Sequence, residues 1–199
     1  MIINIGRQFG SGGKAVAQEL SNILGIPVYD NELIAKCAEQ SGYSPELFSQ
    51  SDEKRRPFSV GAIFGVNRYG GSTHNMLSDS ELFRIQSEVI RDIASKGSAI
   101  FIGRASNYVL RDMNCLDVFI CAPKEVRVKV ISERRGISEE EASKLIETKD
   151  KGRAEFYNMY TFGHWGKSSD YDLCIDSSVL GYRSTADFII SFASAAGKL

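Results

Sequence analysis

Histidine and cysteine are scarce in this chain of 199 residues, with 2 and 4 copies respectively. Two histidines are too few for a metal cluster. The cysteines (Cys37, Cys115, Cys121 and Cys174) stand apart with no C-x-x-C among them. Apolar neighbours around three of them suit buried thiols better than zinc ligands or disulfides. An excess of one charge is missing too: 24 Lys and Arg against 25 Asp and Glu leave a net charge of −1. Electrostatics therefore give no reason to expect a nucleic-acid or membrane partner. No apolar run approaches the roughly 18 residues of a membrane span. The apolar start is too short for a signal peptide, and the expectation is a cytoplasmic protein. Internal repeats and low-complexity segments are absent. What remains is an ordinary globular composition, 43% hydrophobic and 25% charged, at a length that suits one domain with a sizeable core.

The stretch that organises the chain is IINIGRQFGSGGKAVAQEL, Ile2 to Leu20. Ile2, Ile3 and Ile5 read as a short buried strand, interrupted by Gly6 and then by Gly10-Ser11-Gly12-Gly13. Ala15, Val16, Ala17, Leu20, Ile23 and Leu24 resume at helical spacing, closed by Gly25. Strand, glycine turn and helix suit phosphate, because glycines let main-chain N–H groups converge on an anion and a helix N-terminus adds partial positive charge. The fit to G-x-x-x-x-G-K-[ST] is imperfect. Lys14 follows Gly13, but Ala15 stands where a magnesium-binding hydroxyl is expected and Gln8 where the first glycine is. Aligning Gly10-Ser11-Gly12 instead puts Gly13 in the lysine position and Lys14 one residue late. Arg7 and Lys14 are the cations at hand in either register. A purely structural turn is the competing reading.

Further along, Ile26 to Tyr29 reads as a strand ending at Asp30, and NELIAKCAEQSG as a helix stopped by Gly42. Residues 43–77 differ in character: a charged piece holding Lys54, Arg55 and Arg56, then a Gly-rich polar piece. A stretch this long between regular elements is a mobile insertion or a substrate-facing flap. A helix capped by Ser78 with Glu81 follows, apolar at Leu82, Ile85, Val89, Ile90 and Ile93. Ser98 to Gly103 and Cys115 to Ala122 are strands of the doubly covered, parallel type. After Pro123 comes a helix in which Val126, Val130 and Ile131 are expected to face inward and Arg127, Lys129, Arg134 and Arg135 outward. A capping box at Ser138 and Glu141 opens the next helix, whose tail is charged and then aromatic. FGHWGKSSD is a loop, with His164 a surface residue of it; YDLCIDSS is the last strand and GYRSTADFIISFASAAG the last helix. This alternation predicts an α/β fold, a parallel five-stranded sheet with helices on both faces. Ligands in such folds sit at the carboxyl ends of the strands, here Arg7 to Lys14, Asp30 and Asn31, Gly103 and Arg104, and Ala122 onward.

Several of these segments in order, namely GRQFGSGGKAVAQELSNILGIPVYDNELI, IFIGRASNYVL, ICAPKEVRVKVISERRGISEEEA, KDKGRAEFYNMY and YDLCIDSS, resemble the cytidylate-kinase-like group of nucleoside monophosphate kinases within the P-loop NTPases. The resemblance implies one kinase-like domain with a core at 1–42, 78–133 and 170–199, a flap over the monophosphate at 43–77 and an arginine-rich lid at 134–169. It implies ATP and Mg²⁺, and CMP or dCMP as acceptor. Gly10, Ser11, Gly12, Gly13, Lys14 and Ala15 fall on the ATP-gripping GSGKGT loop, with Gly13 and Ala15 replacing its lysine and threonine and Ser11 the one hydroxyl left near the metal. Asp30, Asn31 and Lys36 fall on the monophosphate-binding segment, Lys36 where an arginine is usual. Gly103-Arg104 matches a G-R at a strand end, although Ala105 replaces an acidic residue. Asp150-Lys151-Gly152-Arg153 is similar to the D-x-x-R that holds the pyrimidine monophosphate, and Arg127, Arg134 and Arg135 to the basic residues leading into the lid. Lys14, Arg7, Arg134 and Arg153 are then the cations for phosphoryl transfer. Plainer roles compete: Asp30 as a helix cap, Asp150 with Arg153 as an i, i+3 ion pair, Arg134 and Arg135 as complements to a helix C-terminus. Tyr157, Tyr160, Phe162 and Trp165 read as lid packing. Two other functions stay open: a nucleotide-binding regulatory protein with little turnover, and a kinase for another small phosphate acceptor.

Overall fold

The computed structural model describes residues 1–40 and 79–199. Residues 43–77, including the basic triplet Lys54, Arg55 and Arg56, and the Ser78 cap therefore lie outside the described residues. Five strands, β1 (Ile2–Arg7), β2 (Val28–Tyr29), β3 (Ala99–Ile102), β4 (Cys115–Cys121) and β5 (Leu173–Asp176), form one sheet in the order β2-β3-β1-β4-β5. Every pairing is parallel, with Ile3 opposite both Ile100 and Leu116. The helices are α1 (Gly13–Leu24), α2 (Asn31–Gln40), α3 (Asp79–Lys96), α4 (Ser106–Val109), α5 (Lys124–Arg135), α6 (Glu139–Thr161) and α7 (Ser177–Ala195). Among the described residues no helix is long and apolar enough to cross a membrane.

The period of two along each strand separates two cores. Ile3 and Ile5 of β1, Ile100 and Ile102 of β3, and Leu116, Val118 and Ile120 of β4 bury one face against Val16, Ala17 and Leu20 of α1 and Ala186, Ile189 and Ala193 of α7. Ile2, Ala99, Phe101 and Cys115 turn the other way and meet Ile34 of α2 and Ile85, Val89 and Ile90 of α3. Continuous apolar strands need cover on both faces, and the helices supply it.

Helices α5 and α6 form a hairpin at one end of the sheet, closed around Ile131, Ala142 and Ile146. Gly136 ends α5 with a left-handed φ of 64°, and Ser138 with Glu141 opens α6 through a reciprocal capping box. That box carries the chain straight through the charged stretch, so helix and aromatic tail form one element of 23 residues. Two expectations need correction. On α5, Arg127 is buried at 7% exposure whereas Val126 is 37% exposed, because the face holding Arg127 and Ile131, one turn apart, is the one that meets the first loop. Phe162 does not take the packing role expected of it: it follows α6 in a left-handed conformation and is 91% exposed.

The last helix begins earlier than the sequence implies, at Ser177 rather than at Gly181, and Gly181 breaks it with φ 73° and ψ 168°. All four cysteines are free thiols, Cys115 buried and Cys174 exposed.

Candidate active site

The carboxyl ends of β1, β3 and β4 converge on the glycine loop. Gly10 and Gly12 both take left-handed φ values, 85° and 78°, which L side chains rarely adopt. Gly12 is the N-cap of α1, with no side-chain cap and no acidic residue in the first turn. The opening amides of a helix have no partner within it, so this N-terminus presents N–H groups and partial positive charge uncompensated by the helix's own side chains.

The loop is pinned from three sides. The Phe9 amide donates to Asp150 Oδ1 at 2.6 Å, and the Phe9 carbonyl accepts from Arg127 Nη1 at 3.2 Å. Arg127 and Asp150 are themselves paired at 2.7 Å, with side chains only 8% and 17% exposed. Arg127 Nε donates to the Ala122 carbonyl at 3.0 Å. Gln8 accepts from the Ala122 amide, and the Ser177 hydroxyl donates to the Ser11 carbonyl. Ser11 itself is turned inward, 1% exposed, its hydroxyl donating toward the carbonyls of Gln8 and Ile120. It is therefore not placed to hold a metal, and Arg127 and Asp150 are placed to shape the loop rather than to line its open side. Tyr182, just past the Gly181 break, lays its ring against Gly12, where a Cβ would lie 2.1 Å from it.

Lys14 leans the other way. Its ammonium pairs with Asp30 Oδ2 at 2.8 Å, while Asp30 Oδ1 accepts from the Leu33 amide at 3.2 Å. Asp30 thus caps α2 and ties it to α1. Burial opposes ionisation of Asp30, yet the hydrogen bonds from Lys14 and the Leu33 amide outweigh it and hold its carboxyl below the usual range. The same hydrogen bond, with the Asp30 charge, raises the Lys14 ammonium.

Beside the loop lies a cavity of about 400 Å³ between the ends of β1 and β3 and the inner face of α6. Arg7, Arg104, Arg135, Lys149 and Arg153 line it, and among the described residues no Asp or Glu does. Arg153 donates to the Arg7 carbonyl at 3.1 Å. Burial lowers the Arg153 guanidinium, with the Asp150 carboxylate opposing the shift. Aromatic rings organise these cations. Arg134, Arg135 and Arg153 gather over Phe9 at 5.4–5.9 Å from its centroid, and Arg104 sits over Phe156 at 5.3 Å. Tyr157 is buried and its hydroxyl accepts from Asn107 at 3.0 Å. Trp165 and Tyr171 both pack on Phe119, and burial raises the Tyr171 phenol. The floor is a turn of three successive left-handed residues, Gly103, Arg104 and Ala105, with φ of 75°, 58° and 51°.

Of the charged and polar residues singled out by sequence, the structure brings Arg7, Asn31, Arg104, Arg135 and Arg153 to the cavity, with Arg134 beside it over Phe9. Gly10, Gly12, Gly13 and Ala15 are at the loop and the first turn of α1. Lys36 belongs to α2, but its side chain is outside the described residues. His164 is exposed in the loop after α6. Sequence reasoning missed Phe9, Asn107, Lys149, Phe156, Tyr171 and Tyr182. A phenylalanine inside a glycine-rich loop was the one visible signal among them.

Among the described residues no group of three or more His, Cys, Asp or Glu is placed to hold a metal ion.

A parallel β2-β3-β1-β4-β5 sheet with a glycine loop at the first strand end is the α/β fold of the P-loop kinases. The shikimate kinase of Aquifex aeolicus shares it with a TM-score of 0.52 at 18% identity, over 99% of this chain and 98% of its own. More narrowly, residues 2–179 match the cytidylate kinase-like family, and the chain belongs to that family. Its relatives include a cytidylate kinase of Methanopyrus kandleri, 28% identical over 188 residues, which is 89% of this chain and 85% of the relative. A cytidylate kinase of Methanothrix thermoacetophila is 27% identical over 192 residues, 96% of both chains. An uncharacterized protein from Eubacterium ventriosum has a solved structure 28% identical to this chain, with a TM-score of 0.74 over 98% of both.

Proposed function

We propose that this chain is an ATP-dependent kinase acting on a nucleoside monophosphate, with CMP and dCMP the first acceptors to test. The observation that carries the reading is the cavity: five cations and no carboxylate among its described lining residues, placed beside an uncapped helix N-terminus. Two phosphorylated ligands meeting there would find opposite charge on both sides. Phosphoryl transfer asks the protein for positioning and for stabilisation of negative charge rather than for covalent chemistry. ATP with Mg²⁺ supplies the phosphoryl group and its bridging cation.

The remaining work falls to this chain. The amides of the loop and first turn, Gly10 to Ala15, hold the donor phosphates. Arg104 and Arg153 grip the acceptor phosphate from two walls, and Arg134 and Arg135 approach from the end of α5 as the lid (134–169) closes. Closure excludes water, which would otherwise take the phosphoryl group. Asn31 and Asn107 offer amides to the edge of a base. A coupled ADP-release assay with CMP, dCMP, UMP and AMP tests the reading. Turnover with one of them is expected; no ADP from any, with folded, magnesium-supplied protein, overturns it.

A second reading has one observation in its favour. Ala15 has no hydroxyl and the Ser11 hydroxyl is buried, so the protein's own hold on the metal is weak. A nucleotide-binding protein with little turnover would suit that. Calorimetry separates the two: ATP uptake without product formation favours the second.

A further inference from the structure

Three of the glycines at the loop and the cavity have a backbone reason to be glycine. Gly10, Gly12 and Gly103 take left-handed φ values of 85°, 78° and 75°. Gly13 does not. It is the first residue of α1 and its φ is not left-handed. Its reason is spatial. A Cβ at position 13 would lie 2.7 Å from Arg7 Cβ and 3.0 Å from Arg7 Cγ. Those are the root of the arginine side chain, which cannot swing aside as a flexible tip can. The Arg7 stem therefore fills the room that a side chain on residue 13 would need. Its far end reaches Gly103 across the cavity, where a Cβ would meet Nη1 at 2.0 Å.

We propose that Arg7 and Gly13 are an exchanged pair: the arginine at the end of β1 carries the phosphate-contacting charge that a phosphate loop ordinarily carries on the residue after its last glycine. Lys14 does not carry it. Lys14 is 78% exposed and committed to Asp30, the cap of α2, so it fastens two helices together. Rooting the cation in a strand rather than in the loop has a further effect. The Arg7 guanidinium borders the acceptor cavity, so one group serves the donor phosphates and the incoming acceptor alike.

The inference rests on the kinase reading, and the test keeps the two apart. ATP and ADP binding are measured by titration calorimetry for the wild type, Arg7→Ala, Arg7→Lys, Lys14→Ala and the exchange variant Arg7→Gly/Gly13→Lys. Arg7→Ala should weaken ATP binding by about tenfold to a hundredfold, the range for losing a charged hydrogen bond. Arg7→Lys should fall between it and the wild type, and Lys14→Ala should stay within about twofold of the wild type. The exchange variant should regain most of what Arg7→Ala loses.

Thermal unfolding reads the exchange without any ligand. Gly13→Lys alone should lower the melting temperature, and that loss should shrink when residue 7 is glycine. Wild-type affinity in Arg7→Ala, an equal loss in Lys14→Ala, or no coupling between positions 7 and 13 would overturn the proposal and leave the kinase reading standing. A wild type that neither takes up ATP nor forms ADP would remove both.

Discussion

Removing the Asp150 carboxylate should be among the most damaging single changes outside the two cores. Asp150→Ala strands a guanidinium that is 8% exposed and an amide, that of Phe9, which now donates at 2.6 Å. Breaking a buried pair from one side costs about 3–5 kcal/mol, because the partner charge stays buried without compensation. For a chain of this length each kcal/mol moves the melting temperature by about 2–4 °C, so a fall of about 6–20 °C is expected. Arg127→Met should fall in the same range, since it leaves the Phe9 and Ala122 carbonyls without their donor. The double variant is the decisive member of the cycle. With both charges gone, the remaining penalty is the loss of neutral hydrogen-bond partners, about 1 kcal/mol each. It should therefore be more stable than the sum of the single losses predicts, by roughly 2 kcal/mol or more. Calorimetric or urea unfolding of the four proteins measures this. If Asp150→Ala melts within about 2 °C of the wild type, or if the two losses simply add, the pair is not the buried latch described above.

Other expectations follow from single contacts. Gly12→Ala meets both a left-handed φ of 78° and the Tyr182 ring. It should lose about 1–2 kcal/mol from the backbone conformation alone, and Gly12→Ala/Tyr182→Ala should recover only the ring contact; urea midpoints test both. Ser138→Ala removes a complete capping box and should cost about 0.5–2 kcal/mol in the same assay. Cys115 is a thiol that burial, helped by the Asp117 charge, pushes up to about 11 from an ordinary 9.0. The folded state keeps that proton where the unfolded chain releases it, so this contribution is intact below pH 9.0 and is lost progressively as pH rises toward about 11. Cys115→Ala should flatten that part of the alkaline fall in stability, seen by comparing urea midpoints at neutral and alkaline pH.

The sheet was legible because its strands are short, continuous apolar runs rich in β-branched residues that take turns with helical patterns along the chain, the order of a parallel α/β sheet. The loop was legible because glycines in such a cluster have few other uses. The helix hairpin was read less well. Placing Ile131 inward and Arg127 outward on α5 asked two residues one turn apart to face opposite ways. The apolar residue on that face was the clue that the arginine went inside with it. The exposed Phe162 has a different cause: a helix end fixed by main-chain geometry can carry an aromatic into solvent, and hydrophobicity alone does not reveal it. The cation–aromatic platform formed by Phe9 with Arg134, Arg135 and Arg153 joins residues far apart in the chain. Only folding brings it into view.

The turn of Gly103, Arg104 and Ala105 sets a boundary on engineering this protein. Two of its residues carry side chains in a conformation that disfavours them, at a cost of about 1 kcal/mol or more apiece. Arg104→Gly would relieve that strain and yield a hardier protein, but it would also take a guanidinium from the cavity wall. Selection for heat resistance alone would be drawn to this position, and the cavity would lose positive charge as it succeeded.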